Sequence, residues 1–136
     1  MTARLAALLA VLGACGGNTG GTCQFDSDCG GGEICARSEQ CLAPSQVRMV
    51  KVVWTIRGMA ANATTCAPTP DFYIQFDGYS YQDTLGYAPV PCLQGQFSVD
   101  KLPTRFDQVE MGVEGGRGNL TIVDPTSGVA TFNLAP

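Results

Sequence analysis

The 136-residue chain contains no histidine. That absence removes imidazole-based triads, histidine proton relays and every histidine-containing metal site. Charge is also scarce. Only 15% of residues are charged, with 8 Lys+Arg against 12 Asp+Glu and a net charge of −4. The basic footprint that holds nucleic acid is missing, so no nucleic-acid partner is expected. Signature loops of enzymes are lacking as well: there is no G-x-S-x-G, no Walker-type loop, no G-x-G-x-x-G behind a strand and no zinc-ligand spacing. What the chain does have is 45% hydrophobic residues, 17 Gly, 8 Pro and 7 Cys. This is too apolar for disorder, and enough for one domain plus a small appended module.

Residues 1–14 read as a secretory signal: a basic start at Arg4, the apolar run Leu5–Leu12 and the small pair Gly13-Ala14. Eight residues make a helix of about 12 Å, well short of a ~30 Å hydrocarbon core, so the run is no transmembrane anchor. Leu12-Gly13-Ala14-Cys15 resembles the lipobox of bacterial lipoproteins. The resemblance implies cleavage before Cys15, lipidation of Cys15 and attachment to the membrane. With Gly16 rather than Asp after the Cys, it implies the outer membrane of a Gram-negative envelope. Lipidation of Cys15 also resolves the parity of seven cysteines in an exported protein. Residues 15–22 then form a tether, with four Gly in the seven residues after Cys15 and no large apolar side chain.

Cys23, Cys29, Cys35 and Cys41 follow at intervals of five intervening residues. The stretch 23–42 holds Phe25 and Ile34 as its large apolar side chains before Leu42 and cannot bury a core of its own, so cross-links must hold it. Zinc sites take cysteines in closer pairs, which leaves two disulfides as the expectation and no metal. Spacing alone permits three pairings. Asp26 and Asp28 are too few for a calcium site and read as turn caps. The run C-x-x-D-x-D-C-x-x-G-x-x-C-x5-C is similar to small secreted cysteine-rich repeats such as the amino-terminal module of Dickkopf proteins. That resemblance implies Cys23–Cys35 and Cys29–Cys41.

From Val47 to the end the apolar pattern has period two. Val50, Val52, Trp54 and Ile56 share one face, as do Phe72, Ile74 and Phe76, and Val109, Met111 and Val113. Residues 94–99, 119–123 and 129–134 supply further short strands, the last two joined by the turn Asp124-Pro-Thr-Ser-Gly128. Six to seven strands of this kind predict an all-β fold, an antiparallel β-sandwich over 47–136 behind the small disulfide-rich module. Cys66 and Cys92, each in a Pro-rich stretch read as a loop, are expected to form a third disulfide. The pattern W-x-I-x-G, a Cys, then C-x-x-G-x-F-x-V-x-x-L-P resembles transthyretin-like or carboxypeptidase-regulatory-like sandwich domains. It is carried by Trp54, Ile56, Gly58, Cys66, Cys92, Gly95, Phe97, Val99, Leu102 and Pro103. The resemblance implies a fold and no activity.

Neither an enzyme nor a cofactor is expected. Gly115-Gly-Arg-Gly118 reads as a hairpin turn, since no helix follows to bind phosphate. Asp77 and Asp83 are the acidic pair a small hydrolase would need to bring together. All four tyrosines fall between positions 73 and 87, and Tyr79, Tyr81 and Tyr87 are the candidate contact residues. The expected role is a cell-envelope interaction module whose partner is an envelope protein or a glycan. The alternative is an accessory carbohydrate- or peptide-binding sandwich working beside a separate enzyme.

Overall fold

The structure, a computed structural model, describes residues 22–79 and 83–135. Within them the chain is all-β. The first unit is built around two short strands, β1 (Ile34–Cys35) and β2 (Cys41–Leu42), paired antiparallel. Disulfides Cys23–Cys35 and Cys29–Cys41 lie across this ladder. A single 3-10 turn at Asp26–Asp28 closes the unit. The Asp28 carboxylate accepts the backbone N–H groups of Gln24 and Phe25, both at 2.9 Å. These bonds hold the Asp28 carboxyl below the usual carboxylate range.

The sandwich follows. One sheet is centred on β3 (Val47–Ile56), with the two-residue β4 (Met59–Ala60) and β7 (Gln96–Pro103) on one side and β10 (Val129–Leu134) on the other. The second sheet has the order β6 (Thr84–Pro91), β5 (Asp71–Asp77), β8 (Gln108–Gly112), β9 (Asn119–Ile122). Alternation along β3, β5 and β8 puts Val50, Val52, Trp54, Ile56, Phe72, Ile74, Phe76, Val109 and Met111 into one core between the sheets, each at most 4% exposed. At about 25 cal/mol per Å2 of apolar surface, burial of this layer is the main driving force for the fold.

Three features depart from the sequence expectation. The ladder between β10 and β3 is parallel, Val129 opposite Lys51 through Leu134 opposite Ile56, while the other ladders are antiparallel. Pro89-Val-Pro91, part of the Pro-rich stretch before Cys92 that reads as a loop, ends strand β6 (Thr84–Pro91). It lies at the sheet edge, where a residue without an N–H is tolerated. Val113 does not face the core. The strand ends at Gly112, the Gly116 N–H closes a turn on the Val113 carbonyl at 2.9 Å, and Val113 is 37% exposed.

The third disulfide, Cys66–Cys92, spans 26 positions and reaches into the core, where both cysteines are buried. Trp54 packs edge-on to Phe72, and its indole N–H donates to the Cys92 carbonyl at 3.0 Å. The one tryptophan of the chain is thereby tied to the bridge. A bulge in β7 sets the position of the cysteine unit. Opposite Arg48–Val50, where β3 spends one residue, β7 spends both Asp100 and Lys101, with Lys101 at φ 50°. A bulge re-aims side chains. Here it turns Asp100 toward Arg37 and the Lys101 ammonium onto Asp26 at 2.8 Å, while the Arg37 N–H donates to the Lys101 carbonyl at 3.1 Å. Arg105 adds a bond to Gln40 at 2.7 Å.

Candidate binding site

Of the three candidate tyrosines, two lie within the described residues, and the fold separates them. Tyr79 is 91% exposed just beyond the end of β5. Tyr87, on β6, does not join it on the open surface. Its ring meets Phe76 edge-on at 6.0 Å and tilts against Phe97 at 4.9 Å, and burial pushes its phenol up. Tyr81 lies outside the described residues, as does Cys15.

The fourth tyrosine organises a surface instead. On β5 the residues between Phe72, Ile74 and Phe76 point away from the core, so Tyr73, Gln75 and Asp77 lie on the outer face of the four-stranded sheet. Tyr73 sits opposite Gly112, the last residue of β8. A Cβ at Gly112 would stand 3.1 Å from the Tyr73 ring and 2.7 Å from the Cα of Gly118, which leads into β9 in the same hairpin. A Cβ at Gly118 would collide with Glu110 and with the Tyr73 hydroxyl. The two glycines thus make room for the aromatic side chain to lie across the sheet. Its hydroxyl donates to Glu110 Oε1 at 2.5 Å. Burial and this bond to a carboxylate raise the Tyr73 phenol to about 12.

Beside Tyr73 runs a groove of about 610 Å3. Gln75, Gly86 and Ala88 lie along it, and the turn Glu114-Gly115-Gly116 borders it. Gln75 donates its amide N–H to Asp77 at 2.8 Å and faces Gly86 directly in the β5–β6 ladder. Among the described residues, none that lines the groove is cationic.

Other groupings are occupied by their own partners. The sulfurs of Cys23, Cys29 and Cys41 lie within 4.8 Å of one another, but each is in a disulfide and offers no thiolate to a metal. Asp83 accepts from Arg105 at 2.5 Å while Asp77 accepts from Gln75, so each acid is held by a different neighbour. A second hollow of about 460 Å3 lies where the cysteine unit meets β7, but its cations Arg37 and Lys101 are engaged by Asp100 and Asp26.

Of the candidates Tyr79, Tyr81 and Tyr87, Tyr87 also lines the groove, and Tyr73 beside it is a residue the sequence did not single out. The signal was available in part, because the β5 alternation already places Tyr73 outside. Gly112 and Gly118 meet in the β8–β9 hairpin, whose turn Gly115-Gly-Arg-Gly118 is legible locally, but their closeness to Tyr73 on the neighbouring strand is not. No family model, curated protein or solved structure matches the chain.

Proposed function

We propose that the chain is a lipid-anchored binding module of the cell envelope, exported and attached through Cys15, with no catalytic role. Its contact surface in this reading is the outer face of the β6–β5–β8–β9 sheet. The observation that carries it is the arrangement of Tyr73 over Gly112 beside an open groove. Two glycines and a carboxylate are committed to holding one aromatic side chain on a solvent-facing sheet, an investment that the core does not need. The cysteine unit, between the tether and the sandwich, is fixed to the β7 bulge by Arg37 and Lys101. Among the described residues no helix is long and apolar enough to cross a membrane, and the lipobox resemblance supplies the anchor.

The test has two arms in intact cells. The Cys15→Ala chain should leave the membrane fraction. A photo-crosslinking residue at Glu114, on the proposed face, should give a discrete adduct, whereas one at Thr131, on the other sheet, should not. Retention of Cys15→Ala in the membrane refutes the anchor, and adducts from Thr131 alone refute the face.

A further inference from the structure

We propose that the groove over Tyr73, Gln75 and Gly86 is a binding site for a neutral saccharide. This rests on the outer sheet face being the contact surface and names what it contacts.

Gly86 is the first ground. It sits inside β6, where glycine weakens a strand because it packs nothing and loses the most backbone freedom. Its φ is not in the left-handed region, so the backbone does not require it. Crowding does not require it either, since a Cβ there would meet nothing within 4 Å. The β6 bulge lies elsewhere, between the pairs Phe72–Val90 and Ile74–Tyr87. What glycine does at this position is keep the floor of the groove bare, and glycine in a strand interior is a mark of close approach by a ligand.

The second ground is the chemistry around that floor. Tyr73 lies across the sheet, fixed by Glu110. An aromatic side chain held in this way offers a fixed apolar surface to the C–H face of a sugar ring. Gln75 gives one of its two amide N–H groups to Asp77, and its side-chain amide and the Glu114 carboxylate are the polar groups that sugar hydroxyls would meet. Among the described residues no cation lines the groove, so phosphates and acidic sugars gain nothing from them. A peptide would most simply add as a strand at the β6 edge, but Pro89 and Pro91 lack the N–H groups that such a strand pairs with. About 610 Å3 lies within the usual range of small-ligand clefts and holds a short oligosaccharide.

The experiment uses the full chain, extracted in a detergent without a sugar headgroup. It is titrated calorimetrically with neutral gluco-, manno- and N-acetylglucosamine oligosaccharides, with oligouronates and with oligolysine. The expected result is binding of at least one neutral series, weakened tenfold or more in Gly86→Val at an unchanged melting temperature. Tyr73→Ala should weaken it too, and Gly86→Val keeps the test sound if Tyr73→Ala folds poorly. Absence of neutral-sugar binding, an unaltered affinity in Gly86→Val, or preference for oligolysine or oligouronate overturns the proposal. If sugars fail while Glu114 still cross-links to an envelope component, the saccharide falls and the contact surface stands. Loss of both removes the two together.

Discussion

At the scale of single residues, two side chains carry much of the account. Tyr73 is held by one hydrogen bond to a carboxylate, and its phenol is raised to about 12 in the folded chain. A group whose pKa is raised on folding supports the fold fully below its unfolded value, near 10 for tyrosine, and loses that support as pH climbs through the folded value. Alkaline unfolding is therefore expected to steepen between about pH 10 and 12, and Tyr73→Phe is expected to flatten that limb when followed by circular dichroism. An unchanged limb contradicts the assignment. Trp54 is the second. Trp54→Phe removes the donor to the Cys92 carbonyl inside the core and should cost about 1–3 kcal/mol, read from urea denaturation. Alternation along β3 made the burial of Trp54 legible in the sequence. Its hydrogen-bond partner was not, because 38 positions separate the two residues. Tyr87 shows the same limit. Its position in a tyrosine-rich stretch says nothing of Phe97, which comes from the opposite sheet.

The elements divide into those that follow a period and those that break it. β3, β5, β8 and β10 alternate cleanly and are legible from sequence to within a residue or two. β6 is not. Pro89 and Pro91 are loop residues by composition, and only an edge position lets them stand in a strand. The β7 bulge is equally hidden, since nothing local marks Lys101 for a left-handed backbone. Its consequence is measurable. Asp26 and Asp100 are both held below the ordinary carboxylate value, by the hydrogen bonds from Lys101 and from Arg37 respectively. A carboxyl depressed on folding gives its support above the unfolded pKa, and that support is lost as pH falls through the folded one. Both pairs are substantially exposed and worth little alone, so the sandwich itself should survive their loss. The backbone amide signal of Arg37, which reports the bond to Lys101, is expected to shift on acidification with a midpoint below the ordinary carboxylate pKa. In Asp26→Asn/Asp100→Asn the docked signal should already be weakened at neutral pH. A midpoint at or above the ordinary value contradicts the docking.

On the scale of the whole molecule, three bridges divide the labour. In the chain-entropy view, closing 26 positions between Cys66 and Cys92 stabilises the sandwich by about 3–4 kcal/mol. Cys66→Ala/Cys92→Ala should lower the chemical stability by that amount, measured by tryptophan fluorescence in urea. The two bridges of 12 positions act on a unit without a core of its own, so Cys23→Ser/Cys35→Ser should unfold residues 23–42 while the tryptophan signal stays native. That the chain would be all-β and cross-linked was readable from composition and period. The parallel pairing that brings β10 beside β3 was not, because period fixes a strand's faces and not its neighbour.

Three disulfides that staple the chain and a seventh sulfur that anchors it are read together in the intact mass of membrane-extracted protein before and after reduction. The account predicts a polypeptide beginning at Cys15 that carries the mass of a diacylglyceryl and an acyl group. On reduction it should gain six hydrogens, two for each of the bridges Cys23–Cys35, Cys29–Cys41 and Cys66–Cys92. A chain that retains Met1, carries no acyl mass and gains no hydrogens on reduction contradicts it.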